Sequence, residues 1–145
     1  MRMAMLTLTL LLVGVAGLQA QQPPRPEPND PFARHLFPPE LIMQRQQDIG
    51  LRDAQREQIR AEVQKAQAAF TDAQWRLAAE SGKLEKLLQG GTVDEARVLG
   101  QVDAILGIER EIKRTHIALL VRIRNTLTDE QRTRLLQLRA APRDD

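Results

Sequence analysis

Only two residues in this 145-residue chain, His35 and His116, offer an imidazole, and there is no cysteine. A tight transition-metal centre draws three or four donors from His, Cys and carboxylates, held by a second layer of hydrogen bonds. Here there is no His-x-x-x-His pair, no thiolate and no histidine-rich tract. Met43 alone could serve a soft ion, but a single Met is more readily a gap-filler in a core. His116 falls one helical turn from Ile112 and close to Leu119, which reads as a packed core histidine. A His35–His116 site completed by Glu40 or Glu109 would need the ends of the fold brought together and His116 turned off that stripe. The expectation is no dedicated metal site and no cofactor, with at most weak zinc or nickel binding.

Catalytic chemistry has no better foothold. The carboxylates sit at i, i+4 spacings, such as Asp53 and Glu57 or Glu109 and Lys113, which suits solvated helix faces. No nucleophile elbow, phosphate loop or metalloprotease motif occurs, so the sequence predicts a non-enzyme. Basic residues are denser: Arg110, Lys113, Arg114, Arg122, Arg124, Arg132, Arg134, Arg139 and Arg143 are opposed only by Glu111, Asp129 and Glu130 in that stretch. Arginine stems pack on apolar groups while the guanidinium binds carboxylates. Arg122, Arg124 and Arg134 are therefore candidate contacts for acidic or unfolded polypeptides. A formal net charge of only +2 does not point to nucleic acid, and expected export and the lack of interleaved aromatics disfavour it.

The strongest local signal is "NTLTDEQRTRLLQL", Asn125 to Leu138. Thr128 stands at N-cap and Gln131 three residues on, the spacing of a capping box. Asp129 and Glu130 fall in the first turn, where the helix dipole favours negative charge. A blurred copy, "GLRDAQREQIRAE", runs from Gly50 to Glu62. It keeps Leu51 and Gln55 but has Arg52 where Thr would cap, so Asp53 could cap one residue late.

Helices must position these motifs. Pro39 to Ile49 reads as a short helix, with proline in its first turn and Gly50 just past its end. Ile59, Val63, Ala66, Phe70, Ala73, Leu77, Leu84 and Leu87 recur at heptad spacing, broken only at Glu80. That predicts one helix from about Asp53 to Gln89. Gly90 and Gly91 stop it, and Thr92 with Glu95 forms a capping box for the next helix. Val98, Val102, Ile105, Ile112, Leu119 and Ile123 carry that helix to about Asn125. A short link between two long helices makes them antiparallel. A fourth helix runs from the Thr128 cap to about Arg139. The expected fold is all-α, two long helices in an antiparallel hairpin and two short ones, with residues 36–140 as the domain. Ile59, Val63, Phe70, Leu77, Val102, Ile105, Ile112 and Leu119 exceed what one hairpin can hide, so a homodimer is expected.

The ends have other roles. Residues 1–20, "MRMAMLTLTLLLVGVAGLQA", carry one early Arg, an apolar run and small residues, the pattern of a secretory signal peptide cut near Ala20. Residues 21–35 read as a Pro-rich disordered linker and 141–145 as a tail. The mature protein is expected outside the cytoplasm, stabilised by packing without disulfides.

Two Leu-Thr-x-x-Gln motifs flanking the long helices of an exported all-helical chain resemble the Spy/CpxP family. That family includes zinc-resistance-associated proteins and periplasmic heavy-metal sensors. Leu127, Thr128 and Gln131 match its motif fully; Leu51 and Gln55 match it, and Arg52 departs. The resemblance covers about Phe37 to Arg139. It implies a four-helix hook pairing as a cradle-shaped dimer in the periplasm. It also implies an ATP-independent stress chaperone for unfolded envelope proteins, the leading expectation. The alternative is a heavy-metal sensor or resistance protein, or an adaptor for an envelope stress regulator such as a membrane sensor kinase or an anti-sigma factor.

Overall fold

The computed structural model describes residues 35–140. The expected signal peptide, the linker up to residue 34 and the tail from 141 lie outside the described residues. Four helices follow one another: α1 (Pro39–Gln44), α2 (Asp53–Leu88), α3 (Glu95–Thr126) and α4 (Asp129–Ala140). There is no strand among the described residues. The two long helices, 36 and 32 residues, pack along each other as an antiparallel hairpin about 50 Å long. The expected all-α architecture of two long and two short helices is observed.

The first helix is shorter than expected. Regular α-helix ends at Gln44 instead of Ile49. Beyond it the chain runs through hydrogen-bonded turns to a Schellman closure. Leu51 N donates to Gln46 O at 2.8 Å and Gly50 N to Gln47 O at 3.1 Å. Gly50 takes φ +59°, the left-handed conformation this closure requires. The link between α2 and α3 also differs. Thr92 does not cap α3. Asp94 does, its Oδ1 accepting from Arg97 N at 3.1 Å. The reversal after Gly90–Gly91 consumes two residues more than the Thr92 box allows, and Asp is as good a cap as Thr.

Burial is uneven along the hairpin. The core gathers at one end, where α1 and α4 fold against the start of α2 and the end of α3. Phe37, Ile42, Ile59, Ile123 and Leu135 are all within 2% of complete burial. Ile49, Leu51, Ala66, Leu119 and Leu127 complete that cluster. Toward the far tip only two helices are present, and a two-helix layer cannot enclose its seam. Ala73 and Ile108 are buried there, but Leu77, Leu84, Val102, Ile105 and Ile112 are half-buried. Polar ties reinforce the hairpin along its length. Arg76 Nη2 meets Glu111 Oε1 at 2.8 Å, and Arg122 Nη1 meets Glu62 Oε2 at 3.2 Å. Glu80, the break in the heptad, accepts from Gln101 Nε2 on its carbonyl at 2.9 Å and on its carboxylate at 2.6 Å. Hydrogen bonds from Lys83 and then Gln101 hold the Glu80 carboxyl below the usual carboxylate range.

Candidate functional site: a glutamine clasp and an exposed hairpin

The two sequence motifs meet. At the second, Thr128 N donates to Gln131 Oε1 at 3.0 Å and Gln131 N to Thr128 Oγ1 at 3.3 Å, the reciprocal capping box. At the first, Arg52 N donates to Gln55 Oε1 at 3.1 Å. No oxygen replaces the missing Thr hydroxyl. Asp53 does not step in as a late cap; it is the first helical residue, and its carboxylate pairs with Arg56 at 2.8 Å.

Gln55 and Gln131, 76 residues apart, then pair with each other. Gln55 Nε2 donates to Gln131 Oε1 at 2.9 Å, and Gln131 Nε2 donates to Gln55 Oε1 at 3.1 Å. Each amide has one N–H left. Gln55 gives it to Thr126 O at 2.8 Å and Gln131 gives it to Gly50 O at 3.2 Å. Gly50 and Thr126 each stand five residues before a motif Gln, so the arrangement has local two-fold symmetry. Leu51 and Leu127 are buried beside it, at 7% and 3% exposure. Both glutamines are also buried, and no buried side-chain polar atom among the described residues lacks a partner. A fully satisfied buried amide network rigidifies its surroundings. The motif residues therefore fasten the two bends of the hook to each other. Sequence reasoning found the capping role of Gln131 but missed this pairing. The repeat Leu-x-Asp-x-Gln-Arg at both bends was the available signal.

Arg132 belongs to the same joint. Its Nη1 donates to Leu127 O at 2.6 Å, and its Nη2 pairs with Asp129. It serves a free carbonyl at the end of α3. Arg139 lies over the Phe37 ring at 5.2 Å and donates to Leu36 O at 2.9 Å, tying α4 to the segment before α1. Part of the basic run is thus structural.

The candidate arginines do not form one face. Arg122 is engaged with Glu62 and borders a groove between α2 and α3; Arg134 Nη1 reaches Gln137 at 3.4 Å on exposed α4; Arg124 is half-buried near the end of α3. The expected Glu109–Lys113 pair is not formed, and Glu57 pairs with Arg60. The groove of about 880 Å³ has a small-residue floor that includes Ala66, Ala69, Gly107 and Ala118. Large apolar side chains elsewhere on the hairpin stand free: Trp75 is 74% exposed, Leu99 54% and Leu106 51%. These are not the residues first expected to be surplus. Ile59 and Leu119 are buried inside the hairpin, and the rest of that set is half-buried.

His116 is not a core residue, contrary to expectation. It is exposed, its ring 6.5 Å from that of Phe70 at a 40° tilt. Partial desolvation, then Lys113, push its pKa down, and Glu40 opposes them weakly. His35 is exposed in the turn before α1. Among the described residues no three His, Cys, Asp or Glu side chains lie close enough to share a metal ion. Among the described residues, the His35–His116 site with Glu40 or Glu109 is not assembled. No described helix is long and apolar enough to cross a membrane.

Fold and joint together define an all-α protein whose two bends carry one repeated capping motif. A family model described as heavy-metal resistance matches residues 4–134, and the chain belongs to that family. The resemblance read from the two motifs is borne out. Comparison with curated proteins and with solved structures returned no match.

Proposed function

We propose that this member of the heavy-metal resistance family is an exported, non-enzymatic stress protein that binds unfolded envelope proteins without ATP. The observation that carries this reading is the exposure of Trp75, Leu99 and Leu106, each more than half exposed, on the two-helix stretch away from the core cluster. Exposed apolar groups of this size favour a partner surface over free solvent. The N-terminal apolar run supports export to the periplasm. Exposed Arg134 and half-buried Arg124 support contact with acidic segments of a client, whereas a client would have to displace Glu62 to reach Arg122. The test is suppression of aggregation of a reduced client by equimolar mature protein without ATP. Serine at Trp75, Leu99 and Leu106 should abolish the effect with the hook intact. Undiminished suppression by that variant would overturn the reading. Glutamate at Arg122, Arg124 and Arg134 should weaken suppression for acidic clients only.

A second reading, metal sensing or resistance through an envelope stress regulator, is supported by the family's description. It requires donors beyond those the described residues bring together. Calorimetric titration with zinc, nickel and copper separates the two. A stoichiometric site of submicromolar affinity, lost in His116→Ala, would put metal first.

A further inference from the structure

The groove between α2 and α3 combines two features that specify an occupant. Its floor is made of small residues, Ala66 and Ala69 from α2 with Gly107 and Ala118 from α3, widened by Ile117 and Val121. Small side chains leave room for large aliphatic ones to enter from outside. Its rim carries Lys65, Arg110, Lys113 and Arg114. Among the described residues, no ion pair engages any of these four cations. The two other ionised groups at the rim are already satisfied: Glu111 by Arg76 at 2.8 Å and Arg122 by Glu62 at 3.2 Å. The groove is therefore apolar at its base and positively charged at its edge. From Gly107 to Arg122 it follows α3 for about four turns, or about 22 Å, while α2 lines it over about one turn, from Lys65 to Ala69.

We propose that this groove binds an amphipathic helix of about four turns, with Leu or Ile on one face and Asp or Glu along its flanks. A third helix laid between two others buries its apolar face on both, the usual logic of helix-in-groove recognition. Acidic flanks reach the four unpaired cations, and charge complementarity selects them over basic ones. A basic helix would bring like charges onto the same rim. The proposal rests on the hairpin being a protein-binding surface and names the kind of segment it takes.

The test uses the full mature protein and three fluorescein-labelled peptides of equal length. One is an acidic Leu/Glu amphipathic helix, one its Leu/Lys counterpart, and one a scramble of the acidic peptide without a continuous apolar face. Anisotropy should show saturable binding of the acidic helix and binding at least about tenfold weaker for the other two, 1.4 kcal/mol or more. Lys113→Glu with Arg114→Glu, both on exposed positions, should cost a similar factor and leave the melting curve unchanged. Ala69→Trp should block the groove while the cations remain. Equal binding of the scramble would show a generic polyanion surface and overturn the proposal. Unchanged binding in both variants would do the same. Dissociation of a dimer by Ala69→Trp would assign the groove to a second copy, which also overturns it. If client aggregation is still suppressed while the acidic helix does not bind, this inference fails alone. If suppression is absent as well, the broader reading fails with it.

Discussion

At the scale of single residues, the molecule turns on two glutamines. Each Gln amide makes a cap bond to its own bend, a bond to the other Gln and a bond to the carbonyl five residues before the other Gln. Removing one partner leaves the other buried amide unsatisfied, which costs about 1–3 kcal/mol. Gln55→Ala and Gln131→Ala should each lower the urea midpoint by that order. The double variant should cost clearly less than their sum, because the second change orphans nothing new. Additive losses in the double-mutant cycle would mean the two bends are not coupled. His116 gives a pH signature. Its pKa lies below the ordinary value of 6.5 in the folded state. The unfolded chain therefore binds the proton first, and stability falls as pH drops from about 6.5 toward the depressed folded value. His116→Gln should flatten that acid limb in melts between pH 8 and 5. The local half of this chemistry was legible in the sequence, since a capping box is a three-residue relation. The Gln–Gln pair was not, because it depends on two bends meeting across 76 residues.

At the scale of elements, the helices follow their punctuation closely. The heptad steps set α2 and α3, and Gly50 sets the closure before α2. Where reading and structure part, the differences are the early end of α1 at Gln44 and the caps. Thr92 and Asp94 offer equivalent side-chain acceptors two residues apart, and only the path of the reversal decides between them. Asp94→Ala should cost about 1 kcal/mol, while Thr92→Ala should change nothing measurable. The reverse outcome would place the cap where the sequence first suggested. Arg52 occupies a cap position with a side chain that cannot accept a hydrogen bond. Arg52→Thr should supply the missing oxygen and raise stability by about 0.5–1 kcal/mol, read as an upward shift in the thermal midpoint. Glu80 shows a different limit. Its place in an apolar seam looked like a flaw in the heptad. The structure gives it Gln101 as a partner on the facing helix, a relation no single-helix pattern contains.

At the scale of the whole molecule, one end is a closed hook and the other an open two-helix layer. That asymmetry follows from counting layers. Four elements enclose Phe37, Ile42 and Ile123, but nothing among the described residues covers Leu99 or Leu106. The periodicity predicted surplus apolar surface, and six of the eight residues it named, Val63, Phe70, Leu77, Val102, Ile105 and Ile112, remain half-buried; Trp75, Leu99 and Leu106 add exposed apolar groups off that stripe. A homodimer in light scattering at tens of micromolar is the expected state, and a monomer there would contradict it. The central claim is that the open hairpin, not the hook, contacts unfolded proteins. Site-specific photo-crosslinking tests it most directly. A photoreactive residue is placed in turn at Trp75 and Leu106 on the hairpin, and at exposed Gln47 on the hook, and irradiated with a reduced, unfolded client. The account predicts client adducts from the two hairpin positions and little from Gln47. Adducts confined to Gln47, or equal at all three positions, would contradict it.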